Sequence, residues 1–237
     1  MAATFVQANP SQLKKTVRAV DKTKDATIQI LEYGKDEDSE GVLAAEINIL
    51  ADIARAEQRI LRVFLLGRYN HLKPGSLASW KKRHSGALDI QFLSLHRSKG
   101  LEADFVFLLG VNSGPYSFPS EIDNDPLLDL VLPVPEAFEY SEERRLFYVG
   151  LTRAKRRIYV LTKKVRISRF VQELLKPQNR GTVIYRSGKV DGDHPDVEAC
   201  PTCRTGVLRV ITGQYGPFMA CSNYPACSEK KKVSAAR

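Results

Sequence analysis

The four cysteines of this 237-residue chain all lie near its carboxyl end, at spacings typical of a metal site. Cys200 and Cys203 are separated by two residues, Cys221 and Cys227 by five, and 17 residues lie between the two pairs. Thiolates at such spacings bind zinc tetrahedrally, with one pair on each of two knuckles. Two disulfides are the alternative, which a cytosolic setting and the short gap in the first pair disfavour. We predict a four-cysteine Zn²⁺ site.

The segment that carries these cysteines, residues 199–237, holds most of the excess positive charge. Six Lys and Arg stand against one Glu, which gives +5 of the formal net charge of +9. Four thiolates and one Zn²⁺ would lower this value to +3, so the segment stays basic. A segment of 39 residues is too short for a self-sufficient apolar core. We therefore expect zinc, worth about 10 to 16 kcal/mol in small peptides, to drive its folding.

Three aromatic residues lie close to the second pair of cysteines. Tyr215, Phe218 and Tyr224 offer flat rings on which the bases of single-stranded DNA stack, each contributing about 1 to 3 kcal/mol. Combined with the positive charge, these rings favour single-stranded DNA as the partner of this segment. Two alternatives stay open: the rings only cover the zinc knuckles, or the segment binds a protein.

Two segments farther upstream combine charged and hydroxyl side chains next to apolar runs. Residues 94–102 include Ser94, His96 and Lys99, and residues 142–154 interleave charges with a helical apolar pattern and include Arg153. Hydroxyl, imidazole and ammonium groups are suitable donors to phosphate oxygens. A guanidinium binds two phosphate oxygens at once through its planar fork, which lysine cannot do.

The elements that must position these segments are predicted from apolar periodicity. Short β-branched or aromatic runs alternate with helical patterns, which indicates an α/β fold with a parallel sheet covered by helices. Ligands of such sheets bind beyond the carboxyl ends of the strands. Ser168 is suited to cap the last predicted helix. The predicted strands cover residues 27–31, 61–66, 88–94, 105–109 and 158–162, and the predicted helices cover 36–59, 136–155 and 168–175.

A polar stretch with several Pro and Gly residues separates this part from the cysteine segment. Apolar periodicity lapses there, so we predict a domain over residues 1–176, a linker over 177–198 and a zinc module over 199–237. The alternative for the stretch is a strand and turn of the first domain, because residues 182–185 are β-prone.

Membrane and secreted classes are not expected from the sequence. The longest uninterrupted apolar run, residues 105–109, is far shorter than the roughly 20 residues that span a bilayer. Residues 1–15 lack the apolar core of a secretory signal. We expect the protein to remain in the cytosol.

Two motifs resemble those of superfamily 1 DNA helicases of the Rep, UvrD and PcrA type. The fifth helicase motif is similar to FLSLHRSKGLEADFVF at residues 92–107, and the sixth to EERRLFYVGLTRA at residues 142–154. The similarity runs from about residue 60 to 175 and is strongest to the bacterial helicase IV branch. It implies a RecA-like lobe and a cytoplasmic, nucleoid-associated location.

In that family ATP and Mg²⁺ lie between two RecA-like lobes, and the resemblance implies that this chain is the second. Arg153 matches the arginine finger, which stabilises the transferring phosphoryl group and typically contributes about 10³ to 10⁵ in rate. Glu102 matches the acid at the nucleotide ribose, Gly100 permits the turn before it, and Arg68 matches an arginine near the nucleotide. Ordinary solvated side chains at positions 68, 102 and 153 are the alternative.

The same resemblance implies that Ser94, His96 and Lys99 couple the nucleotide cleft to single-stranded DNA, with movement from 3′ to 5′. Ser94 stands where threonine is usual and Arg97 where a small residue is usual, which puts the local DNA geometry in doubt. A core position is the alternative for His96. The helical subdomain that larger members insert after Arg68 is absent or vestigial, so Trp80 is predicted to pack rather than to stack on DNA.

One expected part of the helicase motor is missing from the sequence. No G-x-x-x-x-G-K-S/T phosphate loop occurs, and no apolar strand ends in the paired acids that hold magnesium. We therefore expect a piece of a longer parent whose N-terminal lobe binds ATP, inactive as a hydrolase by itself. The alternative is a non-catalytic nucleic-acid-binding or regulatory protein.

The cysteine segment carries a resemblance of its own. Residues 213–227 are similar to the C-terminal zinc-ribbon repeats of type IA DNA topoisomerases, which bind single strands. This similarity implies a zinc ribbon that binds single-stranded DNA.

Overall fold

The computed structural model describes a central sheet with its helices and a smaller carboxyl-terminal sheet. Cys200, Cys203, Cys227, Tyr215 and Tyr224 lie outside the described residues, as does most of the predicted linker. The described residues are 5, 28–34, 39–121, 138–176, 179, 182–187, 201–202, 208–213, 216–221 and 228–232.

The described residues of the larger part form six strands and four α-helices, and two short 3₁₀ helices cover Asn70–Leu72 and Lys164–Arg166. The strands are β1 (Ile28–Tyr33), β2 (Leu61–Gly67), β3 (Leu88–Ser94), β4 (Ala103–Leu109), β5 (Ala154–Lys163) and β6 (Val183–Ser187). The helices are α1 (Ser39–Ala56), α2 (Leu77–Arg83), α3 (Ser141–Leu151) and α4 (Arg169–Leu174).

All six strands are parallel, in the order β3-β2-β4-β5-β1-β6. This arrangement confirms the predicted α/β, RecA-like fold. The central strands β2 and β4 are apolar along nearly their whole length because helices cover both faces. The helix predicted over 136–155 is shorter than expected, since its described part ends at Leu151 and β5 already begins at Ala154 to pair with β4.

Each face of the sheet has its own apolar core. On one face α1 and α2 pack with Leu43, Ile47 and Trp80 against the strands, so Trp80 is a packing residue as predicted. On the other face α3 and α4 contribute Phe147 and Phe170, whose ring centroids lie 5.2 Å apart. Ser168 caps α4 by accepting a hydrogen bond from the N–H of Phe170, as its type predicted.

The linker prediction is wrong for residues 183–187, which form β6 and extend the sheet beside β1. Polar side-chain contacts help to attach this edge strand. The Tyr185 hydroxyl donates to the buried carboxylate of Glu32, and Arg186 pairs with the buried Glu46 of α1 over 2.7 Å. The strand that the sequence left open as an alternative is therefore the observed structure.

The described residues of the cysteine segment form three antiparallel strands, β7 (Leu208–Gly213), β8 (Gly216–Cys221) and β9 (Lys230–Lys232), in that order. Leu208 and Ala220 are the buried apolar residues among those described here. Among the described residues of the whole chain, no helix has both the length and the apolar character needed to cross a bilayer.

Candidate functional site

Two of the residues predicted to bind nucleotide, Glu102 and Arg153, meet at the amino ends of neighbouring strands. Glu102 directly precedes β4 and Arg153 directly precedes β5, and these strands pair from Ala103 and Ala154 onward. The N–H of Ala103 donates to the carbonyl oxygen of Arg153 over 3.0 Å. Parallel pairing thus fixes both residues at one edge of the sheet, which we call the amino edge.

The guanidinium of Arg153 is held by three acceptors of the chain itself. Its Nε donates to the carbonyl oxygen of Val149 over 3.0 Å, and Nη2 donates to the Thr152 hydroxyl over 3.0 Å. Its Nη1 donates to the carbonyl oxygen of Leu101 over 3.1 Å. These bonds use only part of the guanidinium's donors, and the side chain stays partly exposed. The bond to Leu101 ties the end of α3 to the residue before Glu102.

A cleft of about 360 Å³ opens at the amino edge and is lined by charged side chains of both signs. The Nζ of Lys155 lies 3.6 Å from Oε2 of Glu102, and 59% of the Glu102 side chain is exposed. Arg59 lines the same cleft and pairs with Asp104 over 3.0 Å. Hydrogen bonds to Glu57 and Asp104 raise the pKa of Arg59. The cleft is thus an open, polar surface.

The connection from β3 to β4 turns tightly against the sheet before it reaches the amino edge. Ser98 is fully buried, and its hydroxyl donates to the carbonyl oxygen of Leu95 over 2.6 Å. Leu95 packs against α3 where a glycine leaves room, since a Cβ at Gly150 would lie 2.8 Å from Leu95 Cδ2. Gly100 has a φ of +85°, in the left-handed region that glycine tolerates. Together these contacts fix the path that ends at Glu102.

The residues predicted to contact DNA lie at the start of this connection, at the carboxyl end of β3. Ser94 is the last residue of β3, and its Oγ accepts a hydrogen bond from the N–H of Arg97 over 3.4 Å. His96, Arg97 and Lys99 are exposed, so His96 does not take the core position that was its alternative. The turn presents an imidazole and two cations to solvent beside the carboxyl edge of the sheet.

Arg68 lies at this carboxyl edge, on the far side of the sheet from Glu102 and Arg153. It follows Gly67, the last residue of β2, which pairs with the last residue of β4. Because β4 is seven residues long, about 20 Å of extended strand separates the two edges. The predicted grouping of Arg68 with Glu102 around a nucleotide is therefore not found, because Arg68 leaves its strand at the opposite end.

Arg68 instead forms an ion pair with Glu143 in the first turn of α3. Its Nη2 lies 2.9 Å from Glu143 Oε1, and its Nε donates to the same oxygen over 2.9 Å. Both side chains are largely buried, at 24% and 12% exposure. The other carboxylate oxygen of Glu143 accepts from the N–H of Ser120 over 3.1 Å. Arg68 thus holds the start of α3 against two loops at the carboxyl edge.

In the small sheet, the sequence neighbours of the four cysteines converge at one end. The backbone of Cys221 pairs with Leu208, and the adjacent residue of β8 pairs with Lys230. Glu229 precedes Lys230, and its carboxylate accepts a hydrogen bond from Thr202, which lies between the first two cysteines. This convergence fits a Zn²⁺ ion held by four thiolates. Among the described residues, no group of His, Cys, Asp or Glu is itself placed to hold a metal ion.

Phe218 is the one predicted stacking residue whose side chain is described. It lies on β8, half-buried, and the Nζ of Lys230 lies 5.9 Å from its ring centroid. A cation beside a partly exposed ring suits a polyanion that carries aromatic bases.

Sequence reasoning missed the residues that hold the site together rather than those that face a ligand. Glu143 lies inside the sixth motif, yet its partner is 75 positions away in sequence. Ser98 is a polar residue in a polar loop, and nothing in its surroundings predicts full burial. For Gly150 a clue existed, because a glycine inside a helical pattern indicates close packing.

Comparisons with known proteins divide the chain into two matched parts. Residues 47–164 match the UvrD-like helicase C-terminal domain, and residues 197–235 match the topoisomerase DNA binding C4 zinc finger. DNA helicase IV of Escherichia coli is 37% identical over 180 residues, which cover 74% of this chain and 24% of that protein. The helicase PcrA of Bacillus subtilis is 35% identical over 101 residues, 42% of this chain and 12% of that protein.

The cysteine segment has relatives of another kind. DNA topoisomerase 1 of Rickettsia bellii is 45% identical over 42 residues, which cover 18% of this chain and 5% of that protein. The chain spans about a quarter of the length of helicase IV and smaller shares of PcrA and the topoisomerase.

Proposed function

We propose that the chain carries the second motor lobe of an ATP-dependent DNA helicase and a ribbon that binds single-stranded DNA. The first part of the proposal rests on residues 47–164, which belong to the UvrD-like helicase C-terminal domain family. The second part rests on residues 197–235, which belong to the topoisomerase C4 zinc finger family. The N-terminal lobe of the same parent protein binds ATP phosphates and Mg²⁺ in this proposal. This chain supplies the groups that close the nucleotide cleft from the other side.

The observation that carries the proposal is the junction of Glu102 and Arg153 at the amino edge. The Arg153 guanidinium and the residue before Glu102 are joined by a 3.1 Å hydrogen bond. A carboxylate accepts from ribose hydroxyls, and a guanidinium stabilises charge that develops on a transferring phosphoryl group. One rigid junction thus delivers both groups together, with Gly100 setting the turn that leads into it.

The connection 94–102 offers a physical basis for coupling DNA to this junction. Its first residues, Ser94, His96 and Lys99, lie at the carboxyl edge, where they donate to DNA phosphates in this proposal. Its last residue is Glu102 at the amino edge. In this proposal a displacement of the connection moves both ends together, because only seven residues separate Ser94 from Glu102 and the turn between them is packed at Leu95 and Ser98. Movement from 3′ to 5′ is the polarity proposed from the family.

In the ribbon, Cys200, Cys203, Cys221 and Cys227 hold one Zn²⁺ ion. The ion, when bound, supplies a structural cross-link between the knuckles. The ribbon then binds single-stranded DNA through its basic side chains and by stacking bases on Tyr215, Phe218 and Tyr224. The 5.9 Å approach of Lys230 to the Phe218 ring supports this role.

The test compares ATP hydrolysis by this purified chain with hydrolysis by the parent protein that contains both lobes, each with and without single-stranded DNA. We expect DNA-stimulated turnover in the parent alone. Ile49→Ala, on the exposed side of α1, serves as a matched parent variant that keeps its turnover. DNA-stimulated turnover by the isolated chain would contradict the proposal that hydrolysis needs the N-terminal lobe. A parent without turnover would favour a non-catalytic nucleic-acid-binding protein.

A further inference from the structure

Three ring side chains form a cluster at the carboxyl edge that the proposed function does not use. Tyr69 and His71 stack with ring centroids 5.5 Å apart and planes 12° from parallel. Tyr116 meets Tyr69 edge-on at 6.2 Å and is 65% exposed, the highest exposure among the described large apolar side chains that reach the surface. We call Tyr69, His71 and Tyr116 the aromatic platform.

Ser120 and Arg68 fix the orientation of Tyr69, the ring that contacts both other members of the platform. The Tyr69 hydroxyl donates to Ser120 Oγ over 2.9 Å, and Ser120 is bound through its N–H to Glu143. The Arg68 guanidinium lies 5.2 Å from the Tyr69 ring centroid and is itself fixed by Glu143. A ring held by its hydroxyl and by a cation keeps one orientation, so little conformational entropy is lost when a flat ligand stacks on it.

The platform and the turn that carries the exposed cations start from strand ends that are hydrogen-bonded to each other. The N–H of Leu95 donates to the carbonyl oxygen of Gly67 over 3.0 Å, which joins the residue after β3 to the end of β2. Tyr69 lies two residues beyond Gly67, and Arg97 and Lys99 follow Leu95 in the turn. Exposed rings beside exposed cations are the arrangement by which proteins bind single-stranded nucleic acid.

We propose that the aromatic platform stacks a base of single-stranded DNA whose backbone phosphates contact the turn at 96–99. This inference rests on the proposed function, because it specifies a contact of the DNA at the carboxyl edge of the lobe. It assigns to the lobe a stacking site separate from the aromatic residues of the zinc ribbon. A base stacks on the exposed face of Tyr116 or in place of His71 on Tyr69.

The test uses the full chain and a short oligothymidine in which single thymines are replaced by 5-iodouracil, which cross-links to a stacked aromatic ring under light. The cross-linked residue is identified by mass spectrometry, and affinity is measured for wild type, Tyr116→Ala, Tyr116→Phe and Ile49→Ala. We expect cross-links at Tyr116 or Tyr69. We also expect Tyr116→Ala to weaken binding by about 5-fold or more. Tyr116→Phe, which keeps the ring, and Ile49→Ala should bind like wild type.

The outcomes separate this inference from the proposed function. If the wild type binds DNA but cross-links only in the ribbon, and Tyr116→Ala binds unchanged, the platform does not contact DNA while the ribbon proposal stands. A wild type that binds no single-stranded DNA at all overturns both. Equal losses in Tyr116→Phe and Tyr116→Ala overturn stacking, because the ring is retained in the first. Thermal unfolding of each variant verifies that the exposed substitution leaves the fold intact.

Discussion

The large sheet and the small sheet of this chain differ in what stabilises them. The large sheet buries two apolar cores, one on each face, with helices over both. In the small sheet, Leu208 and Ala220 are the buried apolar residues among those whose side chains are described. The first can be stable through apolar burial, whereas the second would depend on the Zn²⁺ that we propose joins its knuckles. Two parts of one chain would then draw their stability from unrelated sources.

Removal of zinc is the largest expected effect and acts on one sheet alone. Cys221→Ser, or a strong chelator, should unfold residues 199–237 because about 10 to 16 kcal/mol of metal-binding free energy is lost. The large sheet should keep its unfolding transition. Zinc content measured by atomic absorption, together with residue-resolved hydrogen exchange, checks both statements. A protected small sheet in the zinc-free protein would contradict the comparison.

Loss of two ribbon aromatics should weaken the binding of single-stranded DNA while the metal stays bound. Tyr215→Ala combined with Phe218→Ala is expected to weaken single-stranded DNA binding by about 2 to 6 kcal/mol if both rings stack. Zinc stoichiometry should stay at one, since neither residue is a ligand. Fluorescence anisotropy with a labelled oligonucleotide measures the affinity, and its fall with added salt should persist. Unchanged affinity in the folded double mutant would favour a ribbon that binds protein.

A cavity in the core should affect the large sheet alone. Phe147 is fully buried and packs against Phe118 and Phe170, with centroids 5.3 and 5.2 Å away. Phe147→Ala is expected to lower the free energy of unfolding of this part by about 3 to 5 kcal/mol. Urea denaturation measures the loss, while zinc stoichiometry stays unchanged. The exposed Ile49→Ala is the control, and a comparable loss there would argue against a cavity effect.

Replacement of Arg68 has the smallest expected effect and tests whether the amino and carboxyl edges of the large sheet have different roles. Arg68→Ala removes the partner of Glu143, and we expect a loss of about 1 to 3 kcal/mol in unfolding free energy. The affinity of the two-lobe parent for nucleotide should not change, because Arg68 lies at the carboxyl edge. If the variant kept its unfolding free energy but bound nucleotide more weakly, Arg68 would belong to the nucleotide site after all.

Much of the large sheet was predictable because its strands are short apolar runs between helical patterns. The predicted strand over 61–66 and β2 agree to within one residue, and Ser168 caps α4 as its type and position indicate. β6 was harder to predict, because a five-residue edge strand between polar stretches has little apolar periodicity. Its place is set by Tyr185 and Arg186, whose partners Glu32 and Glu46 lie about 150 residues earlier.

The residues of the candidate site also differ in how well the sequence predicted them. The motifs named the groups that face a ligand, such as Glu102 and Arg153, since chemistry restricts their types. The grouping of Arg68 with Glu102 came from the family resemblance alone. The predicted parallel strands over 61–66 and 105–109 already imply opposite ends of the sheet, because Arg68 follows one strand and Glu102 precedes the other. The pairing of Gly67 with Leu109 places Arg68 at the other end of the sheet.

The central claim is that Arg153 acts on the transferring phosphoryl group across the cleft. Single-turnover ATP hydrolysis and equilibrium nucleotide binding, measured in the two-lobe parent with Arg153→Ala, test it most directly. Arg55→Ala is the matched control, because Arg55 is an exposed arginine late on α1 that pairs with Asp52 one turn earlier. We expect the hydrolysis rate to fall by about 10³ or more while nucleotide affinity falls far less, because the guanidinium stabilises the transition state. A fall in rate below tenfold, or an equal loss in Arg55→Ala, would contradict the claim.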